Sequence, residues 1–474
     1  MSVVNELSHL TGRRLCFLNW RDSSHPEAGG AEVYAEELAR RFVAAGAHVT
    51  FFTAAHGDAP GHEVRDGIEF IRRGGAFTLY AHAAAHLRRS RGRYDAVLDF
   101  QNGIPFFAPM FLDSMTPVIL VVHHVHQDQF GHRFRWPLSG IGRWLESSGS
   151  RRVYGGRPIV AVSPSTRTQV RLRLGLRGPI HVVPNGIDHL PRRRERSTTP
   201  TITVVTRLVP HKRLHLLVEA VAELRTRWPD VHLHLAGRGP ALPAIERAID
   251  RCGVRDHVTL HGFVTDRQRT ELLSEAWLTA LPSEAEGWGL TILEANSLGV
   301  PGVALRVPGV SDAIVEGETG WLADSPEDLP AVLHKAIEAL AGPNQASEWA
   351  DRCRAWASRF SWDRTARAFG WVLAGELRDG SEGDETPRKN GDLSVKVNFE
   401  LANGTEVQRL LPLLQRELRA TDLVAHEGTR VTLLLHGADE VLATTILRRL
   451  GVSEDLSFAV VEPHERLVGL SNAS

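Results

Sequence analysis

Short continuous apolar runs alternate along most of the chain with longer stretches whose apolar residues return every three or four positions. These are the marks of buried strand and amphipathic helix. LCFLNW (15–20) has the first character and AEVYAEELARRFVAAG (31–46) the second, with Val33, Leu38, Phe42 and Ala45 on its apolar face and Gly46 as a C-cap. HVTFFTA (48–54) is strand-like again. A strand, a helix and a strand in that order make a βαβ unit, which builds a parallel sheet covered by helices. Further strands are predicted at 95–100, 118–123, 159–163 and 181–186.

After the arginine-rich connector PRRRERSTTP (191–200) the alternation restarts. Strands at 201–207, 231–237, 257–264, 277–283 and 302–307 are separated by helices at 215–228, 241–253, 266–276 and one opening near Gly289. The fold class is therefore α/β, with two tandem Rossmann-like, doubly wound domains over 1–190 and 191–377, the second closing with a helix at 361–377. Ligands of such sheets sit beyond the carboxyl ends of the strands, and with two sheets the natural site is the cleft between them. RDGSEGDETPRKNGD (378–392) is polar, Gly-rich and broken by proline, hence a linker. Over 393–474 the predicted order is strand 393–401, helix 405–420, strands near 422–427 and 430–435, helix 438–450 and strand 457–461. That is the ferredoxin-like α+β order.

Composition narrows the function. With 55 basic and 56 acidic residues the charge is balanced, which disfavours a nucleic-acid binder. The three cysteines, Cys16, Cys252 and Cys353, lie far apart in sequence, which fits a reducing cytoplasm and argues against a clustered thiolate metal site. No leader-like start is evident, and runs such as PVILVV (117–122) are too short to span a bilayer, so a soluble, cytoplasmic protein is expected.

Four constellations carry possible chemistry. In EGWGLTILEANSLGVP (286–301), Glu286 and Gly287 precede Trp288, Gly289 and Leu290, where the helix begins, and Glu294 lies about one and a half turns in at ~3.6 residues per turn. A helix N-terminus with glycines suits a phosphate, and a carboxylate such as Glu294 accepts hydrogen bonds from vicinal hydroxyls. Acids that merely stabilise a helix electrostatically are the competing reading. In TRLVPHKR, Arg207 ends a strand and Lys212 opens the next helix. Two cations at one edge can clamp a diphosphate, or form a solvated surface pair. Gly29 and Gly30 open a helix as an approach loop or a plain turn. His123, His124 and His126 end a strand, whose alternation separates the first two. Zinc is therefore not expected, and His123 is read as a hydrogen-bonding group facing the cleft. With no D-x-D triplet in the chain, no metal-holding acid pair is evident.

Together these elements resemble the retaining glycosyltransferases of family 4, which have the GT-B fold. The resemblance covers roughly 13–375 and rests on an ordered set: GGAE (29–32), HHVH (123–126), VSPST (162–166), VPNGID (183–188), TRLVPHK (206–212), LAGRGP (235–240), HGFV (261–264, with Gly262), EGWGLTILEA (286–295) and GETGWL (317–322). It implies that Arg207 and Lys212 hold a donor diphosphate, Glu294 binds a ribose, and Glu286 and His123 touch the donor sugar. Gly29 and Gly30 would lie near phosphate and acceptor, and Asn185 and Asp188 would shape the interdomain turn. The implied reaction moves a hexose from a nucleotide-diphosphate sugar to a hydroxyl of a glycan, a lipid-linked or a small-molecule acceptor. No metal or other cofactor is implied. Pro308 and Asp312 depart from the family's usual double glycine and glutamate, and Trp288 replaces its common phenylalanine.

The last module resembles a degenerate cyclase domain of the GGDEF type, with EGTRV (427–431) where the metal-binding motif belongs, so a binding or regulatory role is expected. Segment 130–157 mixes arginine, tryptophan and leucine, either as a helix resting on an anionic membrane or as an ordinary packed helix. Two rival functions are a silent sugar-nucleotide sensor and a sugar-nucleotide epimerase of the same fold.

Overall fold

In a computed structural model the described residues are 3–133, 135–188, 190–191, 193–379, 394–417, 423–436, 447, 452 and 457–461. The first lobe is one eight-stranded sheet. Its strands are β1 (Arg14–Leu18), β2 (His48–Thr53), β3 (His62–Arg65), β4 (Ile68–Arg72), β5 (Ala96–Gln101), β6 (Val118–Val122), β7 (Ile159–Ala161) and β8 (Ile180–Val182). They lie in the order β3-β4-β2-β1-β5-β6-β7-β8, all parallel except β3, which turns back on β4. Phe17 of β1 sits opposite Phe51 of β2 and Leu98 of β5, and the three strands are buried along nearly their whole length, as apolar runs covered on both faces must be.

The chain leaves β1 towards β2 on one side and later returns to β5 on the other. The switch point of this lobe is therefore between β1 and β5, and the loop carrying Gly29 and Gly30 rises from it. The helix Gly30–Ala44 follows that loop. It buries Tyr34, Leu38 and Phe42 at four-residue spacing, whereas Val33, expected on that face, is 39% exposed. Gly46 comes next at φ +91°, a conformation that terminates a helix at little cost only for glycine.

The second lobe holds β9 (Thr201–Val205), β10 (His232–Ala236), β11 (Val258–Gly262), β12 (Thr279–Leu281), β13 (Gly302–Leu305) and β14 (Gly320–Ala323). Two parallel groups, β11-β10-β9 and β12-β13-β14, meet where the Thr203 N–H donates to the Leu278 carbonyl at 3.1 Å. The switch point here is between β9 and β12. The helix Trp362–Asp379, assigned by sequence to this lobe, packs on the first: Phe369 meets Phe42 edge-on at 6.2 Å, and Arg41 Nε donates to Asp363 at 2.7 Å. Its apolar stripe finds its partner on the Gly30–Ala44 helix, a choice that periodicity does not record.

Beyond it, β15 (Ser394–Glu400), the helix Gly404–Glu417, β16 (Leu423–Glu427), β17 (Arg430–His436) and β18 (Ser457–Val461) form a four-stranded antiparallel sheet ordered β16-β17-β15-β18. The linker beyond 379 and the helix expected at 438–450, apart from residue 447, lie outside the described residues.

Candidate functional site

Both loops that bracket the switch point of the second lobe carry predicted site residues. Arg207 to Lys212 follow β9, and Ser283 to Gly289 follow β12. Adjacent strands bring the two loops side by side, and Lys212 Nζ meets Glu286 Oε1 in an ion pair whose side chains are 11% and 12% exposed. Ser283 Oγ donates to the same oxygen at 2.6 Å. Burial pushes the Glu286 carboxyl up, but the charge of Lys212 and the hydrogen bonds from Lys212 and Ser283 outweigh it and hold the group below its ordinary value. Glu286 is therefore ionised at neutral pH.

Arg207 is exposed and reaches the opposite lobe, where Nη1 donates to the Glu27 carbonyl at 3.1 Å. A Cβ added to Gly29 would stand 3.3 Å from Arg207 Nη2, and one added to Gly30 would stand 2.6 Å from Leu290 Cδ1. The two glycines are thus the places where the first lobe admits the cation loop and the helix start of the second. The Gly29 N–H is capped by Glu32 at 2.7 Å.

Gly287 backs onto the other wall of the contact, since a Cβ there would lie 2.8 Å from the His123 carbonyl oxygen. Thr166 Oγ1 donates to that carbonyl at 3.3 Å, and the Ser165 N–H donates to Asp312 Oδ2 across the lobes at 3.0 Å. Asp312, the residue that departs from the family pattern, thus spends its carboxylate on the interlobe contact. Gly289, at φ +81°, turns the loop into the helix Leu290–Ser297. Glu294 faces Arg269, whose Nη1 donates to it at 3.4 Å; burial raises its carboxyl above the ordinary value, with Arg269 opposing. Gly262 stands at the end of β11, two strands from β9, and its carbonyl accepts from the Gly237 N–H at 2.7 Å.

Two placements differ from expectation. The Trp288 indole points into the core, 5% exposed and edge-on to Phe360 at 5.3 Å. His123 is 6% exposed rather than open, edge-on to Tyr34 at 5.1 Å and stacked over Phe100. Burial, reinforced by His124 and His126, pushes it down to about 3, so the ring is neutral at pH 7. Among the described residues its buried Nε2 has no hydrogen-bond partner. Among the described residues no group of three or more His, Cys, Asp and Glu is placed to hold a metal ion.

Sequence reasoning missed Ser283, Gly309 and Glu146. Gly309 adopts φ +88°, and a Cβ there would fall 2.2 Å from the Glu286 carbonyl. Glu146, fully buried, accepts from the His126 N–H and from Gln127 Nε2, each at 2.6 Å, and so fixes the loop after β6. Burial pushes its carboxyl up to about 7. Gly309 has a local signal, a glycine after proline in VPGV; Ser283 and Glu146 have none, because their partners are distant in sequence.

Residues 28–189 match the model of Glycosyltransferase Family 4 and residues 188–356 that of Glycosyl transferases group 1. The D-inositol 3-phosphate glycosyltransferase of Xylanimonas cellulosilytica is 30% identical over 72% of this chain and 91% of its own. The GDP-mannose-dependent alpha-(1-6)-phosphatidylinositol monomannoside mannosyltransferase of Mycobacterium tuberculosis is 25% identical over 77% of this chain and 97% of its own. Among solved structures, sucrose-phosphate synthase of Thermosynechococcus elongatus superposes with a TM-score of 0.62 at 19% identity, covering 77% of this chain and all of that one, a likeness of fold. Two facing Rossmann-like lobes, a Lys212–Glu286 pair at a switch point and these matches give one conclusion: the chain belongs to the family 4 glycosyltransferases and is a glycosyltransferase of the GT-B fold.

Proposed function

We propose that the protein transfers a hexose from a nucleoside diphosphate sugar to an acceptor hydroxyl with retention of anomeric configuration and without a metal ion. The observation that carries the reading is the meeting of Lys212, Glu286 and Ser283 at the switch point of the second lobe, where Arg207, on the same loop as Lys212, reaches across to the first lobe. In this reading Arg207 and Lys212 take the diphosphate and stabilise the charge that develops on the leaving oxygen. Glu294 takes the ribose hydroxyls. Glu286, ionised, accepts from the sugar next to the reacting carbon. His123 is neutral and cannot donate a full positive charge; its buried Nε2 offers a hydrogen bond to a sugar hydroxyl. The leaving phosphate takes the acceptor proton on the face it leaves, which gives retention. Tight interlobe packing at Gly30 and Gly287 keeps water from the bond being broken.

We read the C-terminal sheet as ferredoxin-like, because β16-β17-β15-β18 is the strand order of that fold, and as inert in cyclase chemistry. Gly428 and Thr429 of the EGTRV stretch form a plain two-residue hairpin turn between β16 and β17.

The test is incubation with GDP-, UDP- and ADP-sugars and candidate acceptors in excess chelator, with the product anomer read by NMR. Transfer with retention is expected. Inversion, or dependence on added metal, overturns the mechanism, and binding without turnover returns the chain to the class of sensors.

A further inference from the structure

We propose that the outer face of the helix Leu138–Trp144 docks the first lobe on an anionic lipid bilayer. Trp136, Leu138, Ile141 and Trp144 are 85%, 57%, 50% and 51% exposed. The last three are spaced by three residues and form one stripe along the helix, and Trp136 lies just before its first turn. Large apolar side chains are ordinarily covered; here four are presented together, two of them indoles, the side chain best suited to the interface between headgroup and acyl chain.

Charge selects the occupant. Segment 130–157 holds six arginines and one acid, Glu146, in a chain whose net charge is −1. That acid is fully buried and turned inward to the loop after β6, while Arg135, Arg143, Arg151 and Arg152 are exposed. The outer surface is therefore apolar and cationic with no acid of its own, the composition of an interfacial helix on anionic lipid. A second copy docked by the same face would set arginines against arginines. The helix is also tied to the cleft: the Glu146 that anchors its inner side holds His126 and Gln127, next to the His123 that meets Gly287. Docking would set the acceptor side of the cleft beside the membrane. Among the described residues no helix is long and apolar enough to cross a membrane, so attachment would be peripheral.

The experiment is flotation of the full-length protein with vesicles of phosphatidylcholine alone and of equal parts phosphatidylcholine and phosphatidylglycerol. Binding needs no nucleotide sugar, so it is read independently of catalysis. The protein is expected to float with the anionic vesicles only, and less at high salt. The double variants Trp136→Ser with Trp144→Ser and Arg135→Glu with Arg143→Glu are each expected to lower partitioning by about tenfold or more with unchanged thermal unfolding. Wild-type protein left unbound by anionic vesicles, or bound equally after either pair of changes, overturns the proposal. So does sedimentation showing a dimer that the tryptophan variant dissolves in the absence of vesicle binding.

Discussion

At the scale of single residues the account turns on one ion pair. Lys212 and Glu286 are nearly buried and share one oxygen with Ser283, so each holds the other in position. Glu286→Gln keeps the shape and removes the charge, and Lys212→Ala removes the cation. Each is expected to lower kcat by roughly 10²–10³-fold, the cost of removing one preorganised electrostatic contact. Steady-state kinetics on protein whose far-UV circular dichroism matches wild type would check this, and near-normal turnover in both variants would refute the assignment. These residues were legible because their chemistry and their places at strand ends were local. The orientation of Trp288 was not. An indole between two glycines is equally compatible with a ligand site and with a core, and only Phe360, distant in sequence, decides for the core. The place of His123 at the end of a strand was legible, but its burial under Tyr34 and Phe100 was not.

At the scale of elements, the helix Gly30–Ala44 and most strands of both lobes were readable from period, most of them ending earlier than the apolar runs suggested, whereas β14 was not predicted. The hairpin β3–β4 went unread, although Asp66 and Gly67 both take positive φ in its tight turn and Asp-Gly is a strong hairpin signal. Its importance lies in Arg72 at the end of β4. That guanidinium is fully buried; Nε donates to Asp22 at 2.6 Å and Nη1 to Glu63 at 2.8 Å. Asp22 belongs to the loop that leads to Gly29 and Gly30, so the unread hairpin anchors the loop that meets Arg207. Burial raises the Asp22 carboxyl, but hydrogen bonds from Ser24 and Arg72 outweigh it and keep it below its usual value. Arg72→Ala would strand that charge, and an unfolding free energy lower by about 3–5 kcal/mol is expected from urea denaturation. A loss under 1 kcal/mol, about that of a surface salt bridge, would mean that the pair is not the anchor.

At the scale of the whole molecule, two lobes meet through glycine contacts and through a wall fixed by a buried carboxyl. Glu146 binds its proton more tightly folded, up to about 7, than at the ordinary value of 4.5. Between those values the folded chain keeps a proton that the unfolded chain has released. Its contribution to stability is therefore complete below 4.5 and is lost as pH rises through 7. The shift corresponds to on the order of 3 kcal/mol. Thermal unfolding from pH 5 to 8 should show wild type losing stability relative to Glu146→Gln; parallel curves would remove Glu146 from this role. The central claim is that cations of the second lobe grip a diphosphate at the cleft. Isothermal titration calorimetry with GDP, UDP and ADP tests it most directly. One of them is predicted to bind with a stoichiometry of one, about tenfold or more weaker in Lys212→Ala, the worth of a charge-assisted hydrogen bond. No binding by any of the three, or equal affinity in the variant, would contradict the account.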